Sequence, residues 1–177
     1  MGVEVKKIIV SFGCGLGNQM FQYAFYCALQ QYYTEYEILA DTKVMLPQQH
    51  NGYELEYVFG LNIPRCRFRD YSGYWRHVYI HSGWMFPLNA LLYIIRKYFP
   101  NPTFYKQANY TFYYPEIFRE RTADKYCFKG IWANEKYFGQ CKERLLKEFI
   151  FIQNPGEETY DYVHKIKSSY SVGVHVR

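Results

Sequence analysis

Lys7 to Phe12 is a short apolar, β-branched run that feeds into Gly13-Cys14-Gly15-Leu16-Gly17. A run of this kind entering a glycine turn is how a buried parallel strand opens a strand–helix–strand unit. After the turn, Phe21, Ala24, Phe25, Ala28, Leu29 and Tyr32 recur at i, i+3, i+4 spacing. That period predicts a core-facing helix of about four turns, with Asn18 and Gln19 at its amino end. Glu37 to Ala40 predicts a second strand, closed by Asp41. Strand, glycine turn, helix and strand within ~40 residues make the first unit of a doubly wound, parallel α/β sheet flanked by helices.

Downstream the pattern is weaker. His50 to Phe59 reads as a turn and short helix. Residues 60–118 interleave Pro64, Pro87, Pro100, Pro102 and Pro115 with aromatics, so long irregular connections are expected, with one helix near Leu88 to Tyr98. Tyr126 to Ile131 predicts a strand leading into a turn, and Glu135 to Phe149 a helix with Phe138, Cys141, Leu145 and Phe149 on one face. Asn154-Pro155 followed by Glu157 and Glu158 is a helix start, with the helix running to about Ser168. From Ser171 to Val176 valines alternate with Gly173 and His175, as along a strand. Arg177 stands at the tip of that strand with no helix or partner after it, so an incomplete protein is expected.

Composition adds two points. The 177 residues are 49% hydrophobic and 21% charged, which is one domain's worth of ordinary globular chain and excludes a disordered one. The 21 tyrosines and 14 phenylalanines are a surplus. They suit a sugar or nucleotide cleft, and equally a compositional bias without functional content. The net charge of +5 favours a phosphorylated small substrate over a cationic one. No block of like charges or basic stripe marks a nucleic-acid partner. The densest basic group, Arg65, Arg67 and Arg69, has the i, i+2 spacing of one face of an extended segment. It is a solvated edge, or else a contact for an anion or a membrane surface.

Five scattered cysteines (Cys14, Cys27, Cys66, Cys127 and Cys141) with no C-x-x-C pair support neither a zinc site nor a disulfide framework. The apolar run before Gly13 is too short for a signal peptide, and Leu88 to Ile95 falls far below the ~20 residues that span a bilayer. A cytoplasmic protein without a transmembrane segment is expected, any membrane contact being peripheral and at the inner face. The sequon Asn109-Tyr110-Thr111 carries no meaning there.

The glycine turn is the first candidate for chemistry. Gly13-x-Gly15-x-Gly17 resembles a dinucleotide fingerprint but fails its spacing, since the third glycine should follow the second by three residues. Asp41 imitates the acid that holds a ribose, which keeps a small Rossmann-type oxidoreductase as an alternative. The aromatics keep a non-catalytic glycan-binding module as another. What the turn supplies in any case is backbone N–H groups at a helix amino end, a cradle for an anion or a hydroxyl. Asn18 and Gln19 add amides at the same mouth, unless Asn18 only caps the helix.

Four blocks change the weighting. The run GCGLGNQMFQYAF at 13–25 resembles the amino-terminal signature of the bacterial α-1,2-fucosyltransferases, glycosyltransferase family 11, in which glycine usually occupies the position of Cys14. HNGYELEYVFG at 50–60 resembles that family's histidine-glycine-aromatic-glutamate-leucine block, and FKGIWANEKYF at 128–138 its F-x-G-Y-W-Q-S-E-K-Y-F block. VGVHVR at 172–177 is similar to the opening of H-x-R-R-G-D, shared by several fucosyltransferase families. Ile131, Ala133 and Asn134 depart from the usual tyrosine, glutamine and serine.

The resemblance implies a GT-B type fold of two facing Rossmann-like halves. Residues 1–154 would form the amino-terminal, acceptor-side domain, and 155–177 the start of a truncated carboxyl-terminal, donor-binding domain. It implies inverting, metal-independent transfer of L-fucose from GDP-fucose to O2 of a terminal galactoside. The absence of a D-x-D pair agrees with metal independence. Arg177 and His175 would be the catalytic pair, the planar guanidinium holding the departing diphosphate without a metal. Gly15, Gly17, Asn18 and Gln19 would face the fucose and the acceptor, with His50 and Glu54 as further substrate contacts. On this division of labour the 177 residues alone are expected to be inactive.

Overall fold

The computed structural model describes residues 5–42, 51–71, 74, 86–99, 101–154 and 156–174. Strands β1 (Lys7–Ser11), β2 (Glu37–Asp41), β3 (Phe104–Lys106) and β4 (Lys125–Lys129) form one all-parallel sheet in the order β2-β1-β4-β3. A parallel sheet is covered on both faces, and its central strand must be apolar on both sides. β1 meets that requirement with Ile8, Ile9 and Val10, all fully buried. Ile8 and Val10 share one face with Ile38, Ala40, Tyr126 and Phe128, while Ile9, Leu39 and Cys127 line the other.

Helix α1 (Leu16–Tyr32) covers the first face, as the apolar spacing predicts. Its buried stripe is centred on Gln22, Phe25, Tyr26 and Leu29, so Phe21 and Tyr32 fall on the flanks and are partly exposed. The Phe25 ring stacks on Trp132 with centroids 4.2 Å apart, and Tyr137 packs edge-on against both. Helix α2 (Leu55–Phe59) follows the turn at Asn51–Gly52 and ends at Gly60, and its Leu55 and Phe59 join the same core. Helix α3 (Phe86–Tyr98) lies within two residues of its expected bounds.

Three expectations are corrected. Residues 135–149 are not one helix. Glu135–Tyr137 and Gly139–Cys141 are 3₁₀ turns, and only Lys142–Glu148, α4, is α-helical. The tighter turns drop Tyr137, rather than Phe138, into the core above Cys141 and Leu145. The extended face expected of Arg65, Arg67 and Arg69 stops short, because Phe68–Tyr71 is a 3₁₀ turn. Arg65 itself pairs with Glu56 and lies over the Tyr53 ring. Finally, among the described residues 171–174 pair with no strand, and Val172 and Val174 are exposed. Without a neighbouring strand, alternation alone makes no sheet.

The tyrosine surplus does structural work in the described core. Tyr33 donates to the Ile117 carbonyl at 2.6 Å and Tyr36 to that of Ala123 at 2.8 Å, while Tyr137 accepts from the Tyr114 N–H at 2.8 Å. Each ring fills the core while its hydroxyl pins the 112–124 connection, which has no ladder of its own. Arg121 is buried among them, its guanidinium 4.4 Å from the Tyr105 ring centroid and donating to the Ile117 carbonyl at 2.8 Å.

Past Phe149 the packing thins. Phe151 packs at a tilt against Phe59, and the Ile152 N–H donates to the Val58 carbonyl. Helix α5 (Glu157–Lys167) starts later than the Asn154-Pro155 signal suggested, with Gly156 as its cap. Of the residues from 156 to 174 whose burial is described, all but Val163 are exposed.

Candidate functional site

In parallel α/β sheets ligands bind in the crevice outside the carboxyl ends of the strands, where the strand order reverses. Here that point lies between β1, whose chain leaves through α1 to β2, and β4, which flanks β1 on the other side. An open cleft of about 190 Å³ sits there. Its floor is the end of β1 (Ser11 to Cys14), its wall is the end of β4 (Lys129 to Ile131), and Lys106, Gln107 and Tyr110 close the far side.

Two glutamines of α1 build this edge. Gln22 accepts from the Gly13 N–H at 2.9 Å and donates to the Gly130 carbonyl at 2.9 Å, tying the β1 turn to the β4 turn. Gln19 donates to the carbonyls of Cys14 (2.9 Å) and Gly52 (2.8 Å) and accepts from the Glu54 N–H at 2.9 Å. Its amide is therefore fully used and fully buried. Gln107 repeats the device after β3, its Oε1 accepting from the N–H groups of Ile131 (3.0 Å) and Trp132 (2.9 Å). Buried polar groups without partners are costly, so three glutamines satisfied in this way hold the three turns in one register.

Two positions at this edge are constrained, one by its backbone and one by space. Cys14 has φ +65°, the left-handed region that side chains avoid and glycine adopts readily. Gly130 leaves no room for a side chain: a Cβ there would lie 2.7 Å from Gln107 and 2.9 Å from the Trp132 ring.

The structure sorts the expected site residues. Gly15 caps α1 with extended backbone, Gly17 is exposed in the first turn, and Asn18 is half-buried one residue further on. The cap is thus Gly15, not Asn18, and the Asn18 amide makes no protein hydrogen bond among the described residues. Gln19 is corrected: it is a clasp inside the protein rather than an amide at the mouth. Glu54 sits at the N-cap of α2, accepting from Asn51 at 3.1 Å, beside the turn that Gln19 holds. His50, His175 and Arg177 lie outside the described residues. Asn134, one of the departures from the family pattern, caps the 3₁₀ turn at Glu135 and donates to the Thr111 carbonyl at 2.7 Å.

Gln22, Gln107, Lys106 and Lys129 were missed. Gln22 had a signal, since a glutamine at i+3 from Gln19 falls on the same side of the helix. Gln107 and Lys106 had none, because β3 is three residues long and shows no alternation, and Lys129 lay in an expected strand with nothing to mark it as a cleft residue.

Electrostatically the edge is quiet. Burial pushes the Tyr53 phenol far above its ordinary value, with Arg65 pulling it back in part, so Tyr53 keeps its proton. Burial likewise lifts the Cys27 and Cys127 thiols to about 12, which makes them inert, whereas Cys14 is exposed. Asp41 is fully buried beside Cys66, beyond reach of a ribose hydroxyl. Among the described residues no group of three His, Cys, Asp or Glu side chains gathers as metal ligands, and no helix is long and apolar enough to cross a membrane.

Comparison of the chain with protein-family models, with curated proteins and with solved structures finds no match.

Proposed function

We propose that this chain is the amino-terminal, acceptor-side half of an inverting galactoside α-1,2-fucosyltransferase. One observation carries the reading. The three described sequence blocks that resemble that family, at 13–25, 50–60 and 128–138, are far apart in the chain, yet Gln19 ties the first to the second and Gln22 ties the first to the third, and the first and third line one cleft. Cys14 adds support: it has glycine's backbone conformation at the position where the family has glycine. The cleft is also smaller than the ~300–1,000 Å³ of a complete small-molecule pocket, as suits one wall of a site shared between two halves.

In this reading Gly15, Gly17 and Asn18 face the fucose and the acceptor. The acceptor O2 attacks fucose C1, the bond from C1 to the diphosphate oxygen breaks, and the O2 proton leaves to a base. GDP departs with the bonding electrons, Arg177 and His175 being the catalytic pair that the family resemblance implies. No metal is called on.

The test is a chimaera in which residues 1–154 replace the corresponding half of an active bacterial α-1,2-fucosyltransferase. Radiolabelled GDP-fucose transfer to lactose and to type 1 and type 2 disaccharides is the expected result, while the 177-residue chain alone shows none. A folded chimaera that binds GDP but transfers nothing overturns the reading. Calorimetry with NAD and NADP should show no binding, in keeping with the burial of Asp41. Micromolar affinity would restore the oxidoreductase alternative.

A further inference from the structure

Helix α3 has more apolar surface than the protein covers. Leu88, Leu92 and Ile95 follow one another at i, i+4, i+7 and face inward, Leu92 being buried and the other two half-buried. The adjoining row is apolar too, but in solvent: Leu91 is 52% exposed, Ile94 51%, Tyr98 67%, and Phe99 just past the helix end 68%. On a helix at a water-facing surface this row would be polar.

The charges along this stretch of the sequence are one-sided. Between Glu56, which pairs with Arg65, and Glu116, the only acid is Asp70, and it is buried against Lys7. Besides Arg65, which pairs with Glu56, and Lys106 of the cleft, the same stretch holds Arg67, Arg69, Arg76, Arg96 and Lys97. Arg96 and Lys97 belong to α3 itself.

We propose that α3 docks the protein on an anionic lipid surface, lying in the plane of the interface with Leu91, Ile94, Tyr98 and Phe99 at the acyl boundary. The helix has 13 residues. At 1.5 Å per residue that is about 20 Å, too short to cross a core of ~30 Å and long enough to lie in one headgroup layer. Aromatic rings at the helix end suit the headgroup level, and basic side chains beside an apolar row are the composition of in-plane anchors. Each lysine or arginine near the surface adds attraction to anionic headgroups that salt screens. The inference is independent of the transfer reading, since it uses none of the cleft residues.

The test is flotation of the intact chain with vesicles of phosphatidylcholine containing phosphatidylglycerol, beside vesicles of phosphatidylcholine alone. Flotation with the anionic vesicles at low salt, weakened by added salt, is expected. Leu91→Glu and Ile94→Glu should each lower the partition roughly tenfold while the thermal melt stays at the wild-type value. Lys97→Glu, which spares the apolar row, should reduce binding to the anionic vesicles alone. Leu146→Glu, at a still more exposed leucine of α4, should change nothing. Failure of the intact chain to float, or unchanged flotation of the α3 variants, overturns the proposal. So does a dimer that Ile94→Glu dissolves in a chain that never floats, which would assign the face to a second copy.

Discussion

Under α1 the sheet packs Ile8, Val10, Tyr126 and Phe128 against Phe25, Trp132 and Tyr137, and three buried glutamines tie the turns above that core together. On the opposite face, among the described residues, Ile9, Leu39 and Cys127 meet Cys66, Tyr74 and a half-buried Phe104. There the covering segment is held by an ion pair between Lys7 and Asp70 at 2.6 Å and by the Tyr74 hydroxyl on the Lys125 carbonyl at 2.9 Å. The first face joins residues from distant blocks through aromatic stacking and neutral amides. The second, among the described residues, is smaller and includes a buried charge. A fold that must position two turns to a fraction of an ångström is served by the first arrangement, and one that only needs a cover is served by the second.

Trp132→Ala tests this contrast most severely. It removes a ring that is 1% exposed and stacked on Phe25, and truncation of a buried aromatic costs ~3–5 kcal/mol. Urea unfolding should show that loss, or no folded state at all. Cys127→Ala, at an equally buried position on the second face, should cost about 1 kcal/mol, since it removes one small apolar group. Equal costs would abolish the distinction between the faces.

Gln22→Ala comes next. It leaves the Gly13 N–H and the Gly130 carbonyl without their partner, at ~1–3 kcal/mol for each group that remains dry. A loss of about 2–4 kcal/mol is expected. In the chimaera a further drop in fucose transfer is expected at temperatures where the variant is still folded. A stable, fully active variant would show that the amide clasp does not set the cleft.

The contrast also explains what the sequence disclosed. β1, the glycine turn, α1 and β2 were legible because Ile8 to Val10 and the Phe25–Leu29 stripe obey the simple periods of a strand and a helix. The segment from 60 to 106 was not, apart from α3, whose bounds were expected to within two residues. Its three-residue β3, its bridge at Arg65 beside Ala40 and its turn at Phe68–Tyr71 are set by tertiary contacts and have no period. Within 135–149 the helical spacing was real, but Gly139 and the burial of Tyr137 tightened the first two turns. At the cleft, the glycines and Asn18 were visible as a motif. The internal use of Gln19 was not, because polarity alone does not say whether an amide faces solvent or backbone.

Asp70 sharpens the second-face argument through pH. Burial alone would raise its carboxyl, but the Lys7 ammonium and the Arg67 N–H outweigh that and hold it below the ordinary carboxylate value. A group whose folded-state value is depressed contributes stability above its unfolded value and loses it as pH falls through the folded one. Asp70→Asn should therefore cost about 1.5–3 kcal/mol at neutral pH, and its deficit should close in acid below the carboxylate range. Chemical denaturation at both pH values checks this. A deficit that does not depend on pH would remove the ion pair from the account of the second face.

Cys14→Gly gives the smallest effect and reverses the sign. The left-handed backbone at φ +65° costs a residue with a side chain roughly 1–2 kcal/mol, and glycine avoids that cost. Against this, glycine gives the unfolded chain more freedom, about 0.5–1 kcal/mol in the opposite direction. The difference should leave Cys14→Gly more stable by about 0.5–1 kcal/mol, seen as a higher urea midpoint with an unchanged slope. Cys14→Val should move the other way, because branching at Cβ worsens the same clash. The side chain at 14 is exposed, so neither change disturbs packing, and the pair isolates backbone strain at the lip of the cleft. A lower midpoint for the glycine variant would mean that the thiol makes a contact worth more than the strain, and the turn would then be shaped by its cysteine in spite of its backbone.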